Sequence, residues 1–202
     1  MKLYYSPGAC SLSPHIALRE AGLSFELVLA STKTKKLADG SDFYAINSKG
    51  SVPVLELDNG ERLTEGPAIV QYIADQAPAA KLAPANGSWQ RYRLQEWLNF
   101  ITSELHKGFS PLFNPATGEE HKALARTQLA SKLAWVNAQL EGKQYLMGDE
   151  FSVADAYLFV VSNWGQYVGV EVAGLPNLVA LRARVAARPA VVEAMKAEGL
   201  IK

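Results

Sequence analysis

Hydrophobic and polar positions follow two different periods along this chain. Before Pro78 the apolar residues form short runs of mixed type. Lys2 to Ser6 predicts a strand. Ser11 to Gly22 predicts a helix, with Leu12, Ile16 and Ala17 at helical spacing and Gly22 as a stop. Phe25, Leu27 and Leu29 alternate, so Ser24 to Ala30 predicts a second strand. Strand, helix, strand in that order predicts a parallel pair joined by a crossover helix. Val54 to Leu57 and Glu61 to Leu63 flank Asp58-Asn59-Gly60, a hairpin signal because Asn-Gly supplies a positive φ. Glu65-Gly66-Pro67 then opens a helix whose expected apolar face is Ala68, Ile69, Tyr72 and Ile73. Proline suits its first turn, where no N–H is needed.

A segment rich in proline, alanine and glycine runs from Pro78 to Ser88 and predicts a linker. Beyond it the period is helical throughout. Helices are expected from Trp89 to about Leu105, Glu119 to Leu140, Val153 to Val168 and Leu178 to Ala187. Ser152 and Asp155 fit a capping box with aspartate as the returning acceptor.

Composition narrows the classes of function. The chain has 202 residues, with 20 Lys plus Arg balanced by 20 Asp plus Glu. Zero formal net charge argues against nucleic acid or an anionic membrane as partner. The N-terminus starts a strand rather than a leader, and no apolar run approaches a membrane span, so a cytoplasmic protein is expected. The histidines His15, His106 and His121 lack paired-ligand spacing, so no metal site is expected.

One cysteine is present, so no internal disulfide can form. Cys10 lies where the first strand turns through Pro7-Gly8 into a helix. Helix N-termini favour thiolate over thiol, which marks Cys10 as reactive rather than structural. In thiol-redox proteins a second cysteine follows three residues later, and here that position is Ser13. Any disulfide of Cys10 is therefore with another molecule, a small thiol being the expected partner.

Three further motifs bear on that partner. Val52-Pro53 before the hairpin is either an ordinary edge-strand proline or a cis bond that offers the Val52 backbone to a peptide-like ligand. The isomer is open at this point. Glu65-Gly66 caps a helix, and could also hold an ammonium and a carboxylate, together an α-amino acid. Asn99, Ser103 and His106 are spaced to share one helical face, with Trp97, Leu98, Ile101 and Leu105 on the others. Alone, such a stripe is better explained as a solvent-facing one.

Together these elements resemble a bacterial beta-class glutathione S-transferase. The matching segments are Tyr5 to Ser11, Ser51-Val52-Pro53, Leu63 to Ile69, Trp97 to Phe100, Ser103 to Lys107 and Phe151 to Tyr157. The resemblance spans essentially the whole chain. It implies an α/β plus all-α fold: a thioredoxin-like domain over residues 1–80, then an all-helical domain over 88–202, in a homodimer.

It also implies residue roles. The cysteinyl part of glutathione falls to Val52 beside a cis-Pro53, and its γ-glutamyl group to Glu65 and Gly66. Lys35 matches the position near the glycyl carboxylate, though Lys33 and Lys36 compete for it. Cys10 faces the sulfur with His106 nearby, these two being the catalytic pair. Asn99, Ser103, Glu104 and Leu105 complete the site, some of them across the dimer. Pro7, Ala9, Phe109, Phe113 and Trp164 are expected to line the electrophile pocket. No cofactor is implied beyond glutathione as co-substrate.

The implied function is detoxification: conjugating glutathione to small hydrophobic electrophiles, with Cys10-dependent disulfide exchange or peroxidase activity. A non-catalytic protein that binds glutathione and apolar ligands is the alternative. A purely structural scaffold would need none of Cys10, Glu65, Asn99 and His106.

Overall fold

The computed structural model describes residues 1–202 and divides into two compact units. The first comprises Met1–Ala83 together with Arg188–Lys202, and the second Pro84–Ala187. The expected helical domain ran to residue 202; instead the last segment belongs to the first unit.

In the first unit four strands form one mixed sheet: β1 (Lys2–Tyr5), β2 (Glu26–Leu29), β3 (Val54–Glu56) and β4 (Arg62–Thr64). Their order is β2-β1-β3-β4, with β1 and β2 parallel and the other pairs antiparallel. Helix α1 (Leu12–Glu20) is the crossover between the parallel strands, and α2 (Gly66–Gln76) follows β4. This is the thioredoxin-like βαβ–ββα arrangement. Because side chains alternate along a strand, Tyr4, Val28 and Val54 share one sheet face, where they pack with Phe43 and Val52. Leu3 and Leu55 point to the other face and are fully buried.

In the β3–β4 turn only Gly60 takes positive φ, while the Leu57 N–H donates to Glu61 O and the Gly60 N–H to Leu57 O. The expected three-residue connection is thus a type I turn closed by a glycine bulge. In α2 the buried positions are Ile69, Val70, Ile73 and Ala74. Ala68 is exposed and Tyr72 only half-buried, so the apolar face is rotated by about one residue from the expected one.

The second unit is built around α6 (Val153–Asn163), in which every residue from Val153 to Ser162 is buried. Around it lie α3 (Trp89–Phe100), α4 (Lys107–Phe113), α5 (Glu119–Gln139), α7 (Gly165–Val168) and α8 (Pro176–Ala186). The helix expected to end near Leu105 continues instead through a π-helical stretch, Ile101–His106, into α4. The Lys107 N–H there donates to the Thr102 carbonyl, five residues back. The helix expected to run to Val168 breaks at Trp164. A Cβ at Gly165 would lie 2.4 Å from Val170 O, so only glycine lets the returning chain pass there.

Helix α9 (Pro189–Ala197) went unpredicted and packs against α1 in the first unit. Its signal was the proline at its first turn, with Val191 and Ala194 three residues apart and buried. No helix is long and apolar enough to cross a membrane.

Candidate active site

Cys10 lies in the turn that leads from β1 into α1. Its Sγ donates to the carbonyl of Val52 at 3.3 Å, and the Val52–Pro53 bond is cis. The cysteine, the cis-proline and the backbone expected to meet a peptide-like ligand are therefore together in one unit.

The turn itself is tightly braced. Ser11, fully buried, accepts the Ser6 N–H at 3.1 Å and donates to Ser6 O at 3.2 Å, so its hydroxyl is committed to the backbone. Gly8 at φ +70° donates its N–H to Glu198 Oε2 at 2.9 Å. Glu198 Oε1 meets His15 Nδ1 at 2.9 Å, and His15 Nε2 accepts from Arg19 Nε at 2.9 Å. His15 and Glu198 have no exposed side-chain surface. The residue just beyond α9 thus holds the turn that carries Cys10. Glu198 was missed in the sequence because its partners lie 183 and 190 residues away.

The thiol's ionisation departs from expectation. Burial raises its pKa to about 12; the backbone N–H groups of Cys10 and Ser11 pull the other way but are outweighed, and Glu65 adds to the rise. The helix start does stabilise negative charge, as anticipated, yet desolvation is the larger effect. Tyr5 is likewise kept protonated, first by burial and then by Glu198.

Glu65 caps α2 with φ +70°, a conformation that costs a non-glycine residue roughly 1–3 kcal/mol. Its carboxylate is paired with Lys49, whose Nζ also donates to Thr64 Oγ1 at 2.8 Å. Lys49 went unnoticed in the sequence. A Cβ at Gly66 would meet nothing within 4 Å, so packing does not demand glycine there. Lys35 is distinguished from its neighbours: half-buried, at φ +58°, it donates to Gly50 O at 2.7 Å, whereas Lys33 and Lys36 are exposed. The loop it grips is further held by Asn47, which donates to Ser51 O at 2.7 Å and accepts from the Lys49 N–H at 3.1 Å.

In the second unit the expected polar stripe splits. Asn99 and Ser103 are exposed, and Ser103 Oγ donates to the Asn99 carbonyl at 3.0 Å. His106 is the last residue of the π-helical stretch and turns elsewhere: Nδ1 is 2.6 Å from Tyr157 Oη, and its ring meets Trp164 edge-on at 4.9 Å. Spacing laid out for 3.6 residues per turn fails where the turn is wider. Burial first, then Lys107, lowers the His106 pKa, so the imidazole is neutral.

Two further expected contacts have partners of their own within the chain. Leu105 is completely buried in the helical core. Glu104 is paired with Lys132 at 2.8 Å, and that hydrogen bond lowers its pKa.

Of the expected electrophile pocket, Phe109, Phe113 and Trp164 do cluster, with Trp164 edge-on to both rings at 5.8 and 5.9 Å. Phe109 is fully buried, however, so it backs Trp164 rather than lining an open surface; Phe113 is half exposed. Pro7 is exposed and Ala9 half-buried, both in the Cys10 turn of the first unit.

A thioredoxin-like unit with its thiol on the Val52 carbonyl before a cis-proline, followed by a helical unit, defines the family, and the chain belongs to the glutathione S-transferases. Residues 1–75 match the glutathione S-transferase N-terminal domain and residues 100–189 the C-terminal domain. Within the family it falls in the bacterial beta class. It is 50% identical over 200 residues to glutathione S-transferase GstA of Escherichia coli O157:H7, covering 99% of this chain and 100% of that one. The beta-class enzyme of Sphingomonas chungbukensis superposes with a TM-score of 0.97 at 51% identity, covering all of both chains. A sphingomonad glutathione S-transferase solved with glutathione superposes at 0.96 and 53% identity, again over all of both chains.

Proposed function

We propose that this glutathione S-transferase joins glutathione to small hydrophobic electrophiles, with Cys10 acting first as a hydrogen-bond donor to the glutathione sulfur. The observation that carries this is the Cys10 S–H bond to Val52 O at 3.3 Å beside cis-Pro53. A peptide-like ligand pairing with the Val52 backbone brings its own sulfur to the donor that now satisfies that carbonyl. The S–H turns to the incoming thiolate and holds it. The thiolate then attacks the electrophile; for chlorodinitrobenzene the new carbon–sulfur bond replaces carbon–chlorine and chloride leaves.

Glu65 and the Gly66 N–H take the ammonium and carboxylate of the γ-glutamyl group, with the ammonium displacing Lys49. Lys35 takes the glycyl carboxylate. In the second unit His106, neutral, is the expected donor, with Trp164 against its ring and Phe113 against Trp164. The exposure of Asn99 and Ser103 suits contact with ligand in a second copy, which supports a homodimer. Size-exclusion chromatography with light scattering tests that state: a mass twice 21.9 kDa is expected. The cytoplasm is the compartment that supplies the reduced glutathione such a reaction consumes.

Disulfide exchange is the second activity. The Cys10 thiolate attacks a glutathione mixed disulfide, forming Cys10–S–S–glutathione and expelling the other thiolate. Free glutathione then attacks that bond, releasing oxidised glutathione and restoring Cys10. Burial holds Cys10 as the thiol at rest, so its proton must leave before this attack.

The test is direct. Glutathione resin should retain the protein, and chlorodinitrobenzene should be turned over in a glutathione-dependent manner. Cys10→Ala should abolish disulfide exchange and leave part of the conjugation. Retention without turnover on any electrophile, peroxide or disulfide favours the non-catalytic binding protein instead. Unchanged exchange in Cys10→Ala removes the nucleophile role.

A further inference from the structure

Ser13 stands where a resolving cysteine would follow Cys10, and it takes no part in the chemistry above. The residue is 1% exposed, and its Oγ is the buried side-chain oxygen that meets no hydrogen-bond partner. A buried hydroxyl left unpaired costs stability, and alanine in its place would avoid that cost. Ser11, next to Cys10, is different: its hydroxyl is committed to both the N–H and the carbonyl of Ser6.

The backbone carries Ser13 over Cys10. The Leu12 N–H donates to Ala9 O at 3.0 Å and the Ser13 N–H to Cys10 O at 3.1 Å, so the entry into α1 is wound by bonds to the third residue back. Under that winding the side chains at i and i+3 eclipse. A helical Cβ also tilts toward the N-terminus, so the Ser13 side chain leans back over the turn that holds the thiol.

At rest the Cys10 thiol has its own acceptor, the Val52 carbonyl at 3.3 Å. Loss of the proton ends that bond, because a thiolate and a carbonyl oxygen can only accept. The sulfur then needs donors. The Cys10 and Ser11 N–H groups already favour its charge, and the Glu65 carboxylate opposes it. A buried hydroxyl one turn on, with its hydrogen uncommitted, is the group that can add a further bond.

We infer that Ser13 Oγ–H is the donor that receives the Cys10 sulfur once it is deprotonated: the sulfur turns from Val52 O toward α1, and Ser13 donates to it. The same bond forms in the second half of disulfide exchange. A glutathione thiolate attacks the glutathione sulfur of Cys10–S–S–glutathione, the S–S bond breaks, and its electron pair stays on Cys10 Sγ facing Ser13. The placement stands on the fold; this catalytic use rests on the exchange activity proposed above.

Two variants test it. Ser13→Cys puts a thiol in the same direction. With oxidised glutathione it is expected to close a disulfide between Cys10 and the new thiol, the glutathione disulfide being reduced to two thiols, and no free thiol should titrate after unfolding. A variant that ends with glutathione attached and no internal disulfide shows the side chain directed elsewhere and overturns the inference.

Ser13→Ala removes the hydroxyl. The rate of Cys10 alkylation by iodoacetamide near pH 8 is expected to fall roughly tenfold, the equivalent of one hydrogen bond to a charged sulfur. The thermal midpoint should stay level or rise, since an unpaired hydroxyl is lost. An alkylation rate equal to that of the native chain overturns the inference. A lowered midpoint does so too, because the hydroxyl would then have a structural partner. Slower alkylation in the variant, with no disulfide exchange by the native chain, upholds Ser13 as the donor and overturns only the exchange activity.

Discussion

Cys10 keeps its proton because two nearby backbone N–H groups do not make up for the water its thiol has lost. Its alkylation by iodoacetamide should therefore rise about tenfold per pH unit between pH 7 and 9, following the thiolate fraction. A rate already level below pH 7 would show a thiolate at rest and overturn this account. Gly50 makes a second prediction at this scale. It sits at φ +59°, and a Cβ there would lie 2.5 Å from Tyr44 Cε1. Gly50→Ala should displace the loop whose carbonyl Lys35 grips, raising KM for glutathione several-fold while kcat changes little. The cysteine and the proline were legible as candidates from their local motif. Lys49 and Asn47 were not, because nothing near Lys49 in the chain announces a carboxylate 16 residues on.

Capping works over a few residues, and it was read correctly from sequence. Asp155 accepts from Ser152 N at 2.9 Å and Ser152 Oγ at 2.7 Å, and also from Leu146 N at 2.7 Å, which the motif did not foretell. Removing these with Asp155→Ala should cost roughly 2–4 kcal/mol, since a cap and a buried N–H partner are lost together. Burial raises the Asp155 pKa to about 6 despite these three donors. In the unfolded chain the group titrates near 4, so between about pH 4 and 6 the folded state binds more proton. The associated stabilisation is full below pH 4 and is lost as pH rises through 6, up to roughly 3 kcal/mol. Urea unfolding of the native chain and Asp155→Asn at pH 4 and pH 7 checks this. The native chain should lose stability relative to the variant as pH rises, and a pH-independent difference would contradict it. The π-helical stretch was invisible to a 3.6-residue period, which is why the Asn99–Ser103–His106 stripe did not survive as one face.

At the scale of the molecule, the chain's last residues return to its first unit. Glu198 takes the Gly8 N–H with one oxygen and His15 with the other, and Arg188 forms a paired contact with Glu20 at 2.6 and 2.8 Å. Glu198→Ala should leave both groups of the buried site without that carboxylate, a loss of roughly 3–5 kcal/mol. A thermal melt should register it as a drop of several degrees, and retention on glutathione resin should weaken as the Cys10 turn loosens. An unchanged melt would mean the clamp contributes nothing. Periodicity carried the order of elements and the motifs carried the family resemblance, whose implied helical domain ran to the end of the chain. Sequence period tells which face of a helix is apolar; it does not tell which unit that face will cover.

By itself the sequence determined what depends on neighbours within a turn or two: the strand–helix–strand start, the glycine turn at Gly60, the proline at the start of α2, the Ser152–Asp155 cap and the motif order that marks the family. Only the tertiary structure decided the protonation of Cys10, the partners of Glu65, Glu104 and His106, and the return of Glu198 to the Cys10 turn. The physical reason is range. Backbone conformation and caps are set by groups a few bonds apart, whereas desolvation and long-range hydrogen bonds depend on which distant groups the fold brings into the same dry space.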